Sequence, residues 1–343
     1  MTLPDLTFDG AMVLTAEGLA ETPLPLGGGR IAERPAGPRV DLSGYLILPG
    51  IVDIHGDGFE RHLAPRRGAL ASLRAGLAGL DAELGANGIT TAVLAQFWSW
   101  EGGMRGPDFA EALAGALAAT PLRADVRMQL RFEVGMVEDV DRVLDFAARA
   151  GIPYVVLNDH LPHAALEAGR TPPRLTGQAL KARRAPQAHL ALMRALHARR
   201  DEVPAALARL CEGLAGQGVL LGSHDDRSPG DRARARRLGA RIAELPETRE
   251  AARAAKDAGD SVVMGAPNLV RGGSHAGKVA AGDLVAEGLV DALASDYHYP
   301  APAAAAFGLA AGGMDLAEAW ALVSAGPARL LGLSDRGRLV PGA

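Results

Sequence analysis

The chain has a single cysteine, Cys211, among its 343 residues. No internal disulfide can form, and a fold built on a small cross-linked core is excluded. Lysine is almost as scarce: Lys181, Lys256 and Lys278 are the only three, and arginine supplies the rest of the positive charge, which reads first as a genomic bias. An excess of either charge is also missing. The 36 basic and 40 acidic residues leave a net charge of −4, which gives no global field for nucleic acid or an anionic membrane. Any anionic ligand must therefore be held by local groups. There is no long apolar run either, since stretches such as 88–96 are strand-sized and far short of the ~20 residues of a spanning helix. Residues 1–10 lack the basic start and apolar run of a secretion signal. A soluble protein of the reducing cytoplasm, without nucleic-acid or membrane partners, is the expectation.

What the chain does have is bulk and pattern. With 48% hydrophobic and 22% charged residues it can bury a large core, and its length suits two ordinary domains or one large α/β barrel with additions. Residues 1–50 carry short β-prone pieces at 6–8, 11–15 and 45–48, separated by turn formers such as Gly27-Gly28-Gly29, and suggest a small β domain. From residue 51 the period changes. Apolar strand-like runs at 51–54, 90–96, 127–134, 154–158, 219–223, 242–245, 261–264 and 292–295 alternate with helix-like stretches at 69–86, 109–119, 137–150, 188–214 and 248–258. Eight strands with helical crossovers predict a TIM-like (β/α)8 barrel over 51–331. Residues 332–343 are expected to return towards the small domain as a shortened end of it. The Pro-, Arg- and Thr-rich insert 161–186 exceeds an ordinary βα loop and reads as a lid.

The rare polar residues fall at the carboxyl ends of these strands. The first strand runs into His55-Gly56-Asp57, the third into Glu133, the fourth into His160, the fifth into His224-Asp225-Asp226 and the eighth into Asp296. In a parallel barrel those ends open on one face, so residues remote in sequence converge there. Histidine and carboxylate ligands suit a divalent ion such as Zn²⁺ or Mn²⁺, with one ion or two left open, and the sole thiol lies in a predicted helix. Bland readings stand beside this one. A lone strand-end histidine is more often a hydrogen-bonded structural residue, Glu133 could merely neutralise Arg131, and Asp296 could cap the following turn. His189 and His197 fall in a helical stretch and are expected to be solvated, while Asp53, within the first strand, has no role assigned.

Leu48-Pro49-Gly50 before the first strand, Gly222-Ser223-His224-Asp225-Asp226, Ile242-Ala243-Glu244-Leu245-Pro246, the run from Met264-Gly265-Ala266-Pro267-Asn268 through Arg271-Gly272-Gly273-Ser274-His275, and Ser295-Asp296-Tyr297 together resemble the amidohydrolase superfamily. Within it they resemble the PhnM-type diphosphatases of the carbon–phosphorus lyase pathway. The likeness runs over nearly the whole chain to Gly332. Aspartate in His55-Gly56-Asp57, where most superfamily members have His-x-His, fits the narrower group. None of the three lysines sits at a central strand end to serve as the carboxylated bridging lysine of many members, and Glu133 takes that place. The resemblance implies that His55 and Asp57 hold one ion and His160 and His224 another, with Glu133 bridging, and that Asp296 binds metal and takes the proton of the attacking water. It implies hydrolysis of alpha-D-ribose 1-methylphosphonate 5-triphosphate to the 5-phosphate and pyrophosphate.

So anionic a small-molecule substrate needs local positive and polar groups. The candidates are Arg66 with its neighbour Arg67, Asp225, Asn268, Arg271, Ser274, His275 and Lys278; Arg66 and Arg67 read equally well as solvated charges. Loops after the seventh and eighth strands of barrels commonly bind phosphate, and Gly272-Gly273 permits close backbone approach. Two rival functions remain at this level: a hydrolase of C–N bonds in a cyclic amide or aminopurine, and a non-catalytic metal-binding or sensing protein. A homodimer is the ordinary expectation for such an enzyme.

Overall fold

The computed structural model describes residues 4–35, 37–66, 72–273 and 277–343. Eight parallel strands, Ile51–Gly56, Ile89–Trp98, Asp125–Glu133, Tyr154–Asn158, Leu220–His224, Ile242–Glu244, Ser261–Gly265 and Ala292–Ala294, pair in sequence order. They form the expected TIM-like barrel. The reason is visible in runs such as Tyr154-Val155-Val156-Leu157, which is buried throughout, because a parallel strand has both faces covered. The ring is nearly closed by a parallel bridge between Gly56 and Asp296. There the Asp57 amide donates to the Asp296 carbonyl at 2.7 Å and the Asp296 amide to the His55 carbonyl at 2.9 Å. Asp53 works at this seam as well, its buried carboxylate accepting from the Ser295 amide at 2.8 Å and the Ser295 hydroxyl at 2.6 Å.

Two layers of apolar packing hold the barrel. Leu77, Leu80 and Leu84 on one face of the helix Leu73–Ala86, with their counterparts on later helices, join the outer core against the strands. A second cluster unites Val52, Ile54, Val93, Tyr154, Val156, Ile242 and Val263 with Ala328 and Leu331 near the chain's last helix, Ala325–Leu330. Its members come from strands that are not all neighbours, so it fills the interior. The stretch 188–214, expected as a single helix, is two: Pro186–Ala198 and Val203–Gly216, separated by the 3-10 turn Arg200–Glu202. Pro204 has no N–H to continue the first helix but is tolerated in the opening turn of the second.

Outside the barrel, residues 6–47 form a four-stranded and a three-stranded sheet. The last residues come back to the first of these: the Ile31 amide donates to the Ala343 carbonyl at 3.0 Å and the Gly342 amide to the Ile31 carbonyl at 2.9 Å. The insert after the fourth strand contains the helices His163–Glu167 and Leu175–Lys181. It has a small core of its own, in which Leu161, Leu166 and Leu175 pack with Met193 and with Trp100 from beyond the second strand. Arg184 ties it down further, donating to the Trp100 carbonyl at 2.6 Å. His189 is fully buried here beside Trp100, ring centroids 5.5 Å apart, and His197 pairs through Nδ1 with His163 Nδ1 at 2.7 Å. The expectation of a solvated side chain is therefore corrected for His189, which the insert covers, while His197 is half-buried.

No helix among the described residues is long and apolar enough to cross a membrane.

Candidate metal centre

At the carboxyl ends of the strands the polar residues meet. Two of them, Asp225 and Asp296, and the apolar Leu245 immediately follow the fifth, eighth or sixth strand or lie within two residues of its end, and all three have positive φ, at 60°, 53° and 51°. Left-handed backbone is costly for residues other than glycine, less so for aspartate, and it concentrates where surrounding structure imposes it. Here each residue turns its amide onto a neighbouring strand: Asp225 to the Glu244 carbonyl at 3.0 Å, Leu245 to Val263 at 2.8 Å and Asp296 to His55 at 2.9 Å. These amide contacts tie the ends of the strands to their neighbours.

Each of the three strand-end histidines has a carboxylate beside its Nδ1. His55 Nδ1 bonds the Glu244 carboxylate at 2.7 Å, His160 Nδ1 bonds Glu133 at 2.5 Å, and His224 Nδ1 lies 2.9 Å from Asp225. In His55 and His160 the carboxylate on Nδ1 fixes tautomer and orientation and leaves Nε2 for a metal, whereas His224 makes no hydrogen bond through Nδ1 among the described residues and meets Arg131 at Nε2. His55 Nε2 is buried and has no partner among the described residues. The rings lie close together, His55 to His224 at 5.4 Å and His160 to His224 at 6.3 Å between centroids. His55, His224 and Glu244 can each direct one donor atom into a common space, all within 4.8 Å of one another. The imidazole donors suit a divalent cation, while the Glu244 carboxylate is already engaged by His55 Nδ1.

Glu244 is the site residue that the reading of motifs passed over as a functional group. Its second oxygen accepts from Gln129 Nε2 at 2.8 Å, so the carboxylate is held from both sides. The signal was its position at a strand end within a string already singled out. Glu133, expected as a bridge between ions, has both oxygens engaged: one on His160 Nδ1, the other on the His160 amide at 3.0 Å and Trp100 Nε1 at 3.3 Å. Nor does it neutralise Arg131, whose guanidinium instead sits 3.1 Å from His224 Nε2 and 3.7 Å from Asp57.

Electrostatics follow from these contacts. Burial pushes the His55 pKa down, but Glu244 outweighs it and the net shift is upward; burial likewise pushes Glu244 up, and His55 brings it below the ordinary carboxylate value. His224, desolvated and facing Arg131, falls to about 4. Glu133 is lowered, His160 outweighing its burial. Asp296, half-sheltered in the mouth, is raised to about 6, by burial first and by Asp57 second.

The expected anion-binding groups are less uniform. Lys278 is bracketed by Asp225 at 3.1 Å and Glu247 at 2.8 Å. Asp225 is in turn drawn well below the carboxylate range, His224 and Lys278 outweighing its burial. Asn268 is occupied at both ends of its amide, donating to the Val279 carbonyl at 3.3 Å and accepting from the Ala281 amide at 3.0 Å, so it braces the loop after the seventh strand. Arg271 is exposed with its guanidinium 5.9 Å from the Tyr297 ring, and Arg66 is exposed. Arg67, Ser274 and His275 lie outside the described residues.

No family model matches the chain. A curated protein does: the alpha-D-ribose 1-methylphosphonate 5-triphosphate diphosphatase of Escherichia coli (strain K12) is 33% identical over 313 residues, 87% of this chain and 81% of that protein. The chain belongs to this diphosphatase family. Among solved structures, an amidohydrolase superposes with a TM-score of 0.62 at 18% identity, covering 99% of this chain and 90% of that one. A prolidase solved with N-methylphosphonate-L-proline does so with a TM-score of 0.62 at 16% identity and the same coverage. These likenesses concern the fold. Together the findings make the protein a hydrolase of this diphosphatase family on an amidohydrolase-like fold.

Proposed function

We propose that the protein hydrolyses alpha-D-ribose 1-methylphosphonate 5-triphosphate to the 5-phosphate and pyrophosphate, with residues 51–331 as the catalytic unit. The observation that carries the chemistry is the repeated histidine–carboxylate pairing around one mouth, above all the bare, buried Nε2 of His55. His55 and His160 would hold the cation through Nε2 and His224 through its ring, Arg131 facing the His224 Nε2, with Asp57 and Asp296 as carboxylate ligands. Glu244, Glu133 and Asp225 would keep the three rings in place. A divalent ion bound there, zinc or manganese, would lower the pKa of water towards neutrality and stabilise charge on phosphoryl oxygens. Asp296 accepts the proton of the attacking water, for which it must be ionised, as the anhydride bond between the ribose-linked phosphate and the pyrophosphate breaks. The 33% identity to a diphosphatase supports this substrate over an amide.

The test is a direct competition between substrate classes. Metal-loaded protein should release pyrophosphate from the ribose 5-triphosphate. Turnover of cyclic amides or aminopurines, with none of the triphosphate, would refute the substrate and leave the centre standing.

A further inference from the structure

The mouth is rich in carboxylates: Asp57, Glu133, Asp225, Glu244 and Asp296 all reach it. A substrate carrying a triphosphate and a phosphonate would meet this wall with repulsion unless fixed positive charge stands beside the cation. Lys278 is already bracketed by Asp225 and Glu247. Arg131 is placed differently. It is 5% exposed, far deeper than a surface arginine. Its guanidinium carbon lies 4.1 Å from the Phe97 ring centroid, which fixes the plane of the fork. One Nη donates to His224 Nε2 at 3.1 Å, the other is 3.7 Å from Asp57, and the buried Nε has no partner among the described residues. A buried donor left unpaired costs about 1–3 kcal/mol, a cost that a ligand oxygen would remove.

A second arginine stacks on the same ring. Arg105 lies 4.3 Å from the Phe97 centroid, so the two guanidinium carbons are at most about 8.4 Å apart, the two ring distances laid end to end. Arg105 is braced by Glu101 at 3.1 Å and more loosely by Glu60 at 3.7 Å. The two arginines therefore differ: Arg105 is charge-balanced, whereas Arg131 keeps an unused N–H at the centre.

We infer that Arg131 is a specificity-determining residue of this site, its fork binding the non-bridging oxygens of a phosphoric anhydride beside the cation while Phe97 holds the fork in plane. This rests on the phosphoric-anhydride reading above, and it separates the site from one built for a neutral amide, whose ground state offers no pair of anionic oxygens to the fork. Arginine, not lysine, suits the task because the fork meets two oxygens at once and stacks on an aromatic face.

The probe is inorganic pyrophosphate, titrated calorimetrically into manganese-loaded wild type, Arg131→Met and Arg131→Lys, with metal content measured on the same samples. Arg131→Met should keep its metal, bind pyrophosphate at least tenfold more weakly and lose about 100-fold in kcat/KM on the triphosphate. Arg131→Lys should recover only part of the affinity, and it carries the test if the methionine variant does not fold. Unchanged pyrophosphate affinity in metal-replete variants, or no pyrophosphate binding by the wild type, would overturn the inference. So would an affinity that falls only in step with metal content, because Arg131 would then merely hold His224. If pyrophosphate binding depends on Arg131 but the triphosphate is not turned over, the inference stands and the substrate proposal falls.

Discussion

Two parts of this molecule bury a histidine, and they do opposite things with it. At the barrel mouth, His55 is 1% exposed and bonded to the Glu244 carboxylate, and its pKa is raised despite burial. Beneath the insert, His189 is equally hidden but packs on Trp100 with neither ring nitrogen partnered among the described residues; burial, seconded by Arg184, lowers its pKa. Burial alone drives an imidazole neutral. A carboxylate at hydrogen-bond distance reverses the sign and, by occupying one nitrogen, dedicates the other to chemistry. Only the first arrangement makes a site.

The sharpest way to test the mouth is at the proton acceptor. Asp296→Asn should leave the histidine cage and most of the bound metal in place while reducing turnover by about 10²–10⁴, the range expected of a positioned general base. Elemental analysis beside initial rates checks both halves, and retained turnover would remove Asp296 from its role. Next in size is the effect of freeing His55. Glu244→Gln should weaken metal affinity by about 10–100-fold, as losses of such orienting carboxylates do, and should turn the His55 shift from upward to downward. Competition with a chelator reads the first, the ring resonances of the metal-free protein the second.

The same aspartate offers a test with the sign reversed. In the metal-free protein Asp296 has its pKa raised from 3.8 to about 6. The folded chain therefore holds a proton that the unfolded chain releases between those values, and ionising Asp296 costs stability as pH rises through that window. Asp296→Asn removes the cost. Metal-free Asp296→Asn should match wild type near pH 3.5 and exceed it at pH 7 by on the order of 2 kcal/mol, discounted for partial exposure. Urea titrations at the two pH values measure the difference; a variant less stable than wild type at pH 7 would show that the aspartate is not strained there.

Most of the barrel was legible because its strands are buried on both faces and so read as short apolar runs between longer helical segments. The strand-end residues His55, His160, His224, Glu133 and Asp296 were legible by the same logic, since a parallel barrel gathers carboxyl ends whatever their separation in sequence. What pairs with what was not. His55 meets Glu244 across the mouth, from the first strand to the sixth, and nothing local to either residue encodes that meeting. Arg131 and Glu133, two apart on one strand, invited a mutual ion pair, yet each is claimed from elsewhere, by His224 and His160. Lys278 and Asn268, expected to meet anion, are taken by neighbours that only the folded loop supplies. His189 misled for a related reason: its helix shows a polar position, and only the fold of the insert decides that this position is buried against Trp100.

The insert side of the comparison gives the smallest expected effect. If His189 is a packing residue whose polarity goes unused, an apolar side chain of similar volume should be tolerated. Replacing an unpaired buried polar group by a matching apolar one is neutral to stabilising, whereas truncation leaves a cavity and costs about 2–5 kcal/mol. His189→Met should therefore leave the unfolding free energy unchanged or raise it by up to about 1 kcal/mol, whereas His189→Ala should lower it clearly. Metal content and turnover should not change in the methionine variant, because His189 sits in the insert's own small core and contacts none of the three mouth histidines by any bond found among the described residues. Denaturant titration of both variants, with metal analysis of the first, makes the contrast quantitative. A methionine variant as damaged as the alanine one would mean that the ring nitrogens do have a partner, and that the two buried histidines are less different than their surroundings indicate.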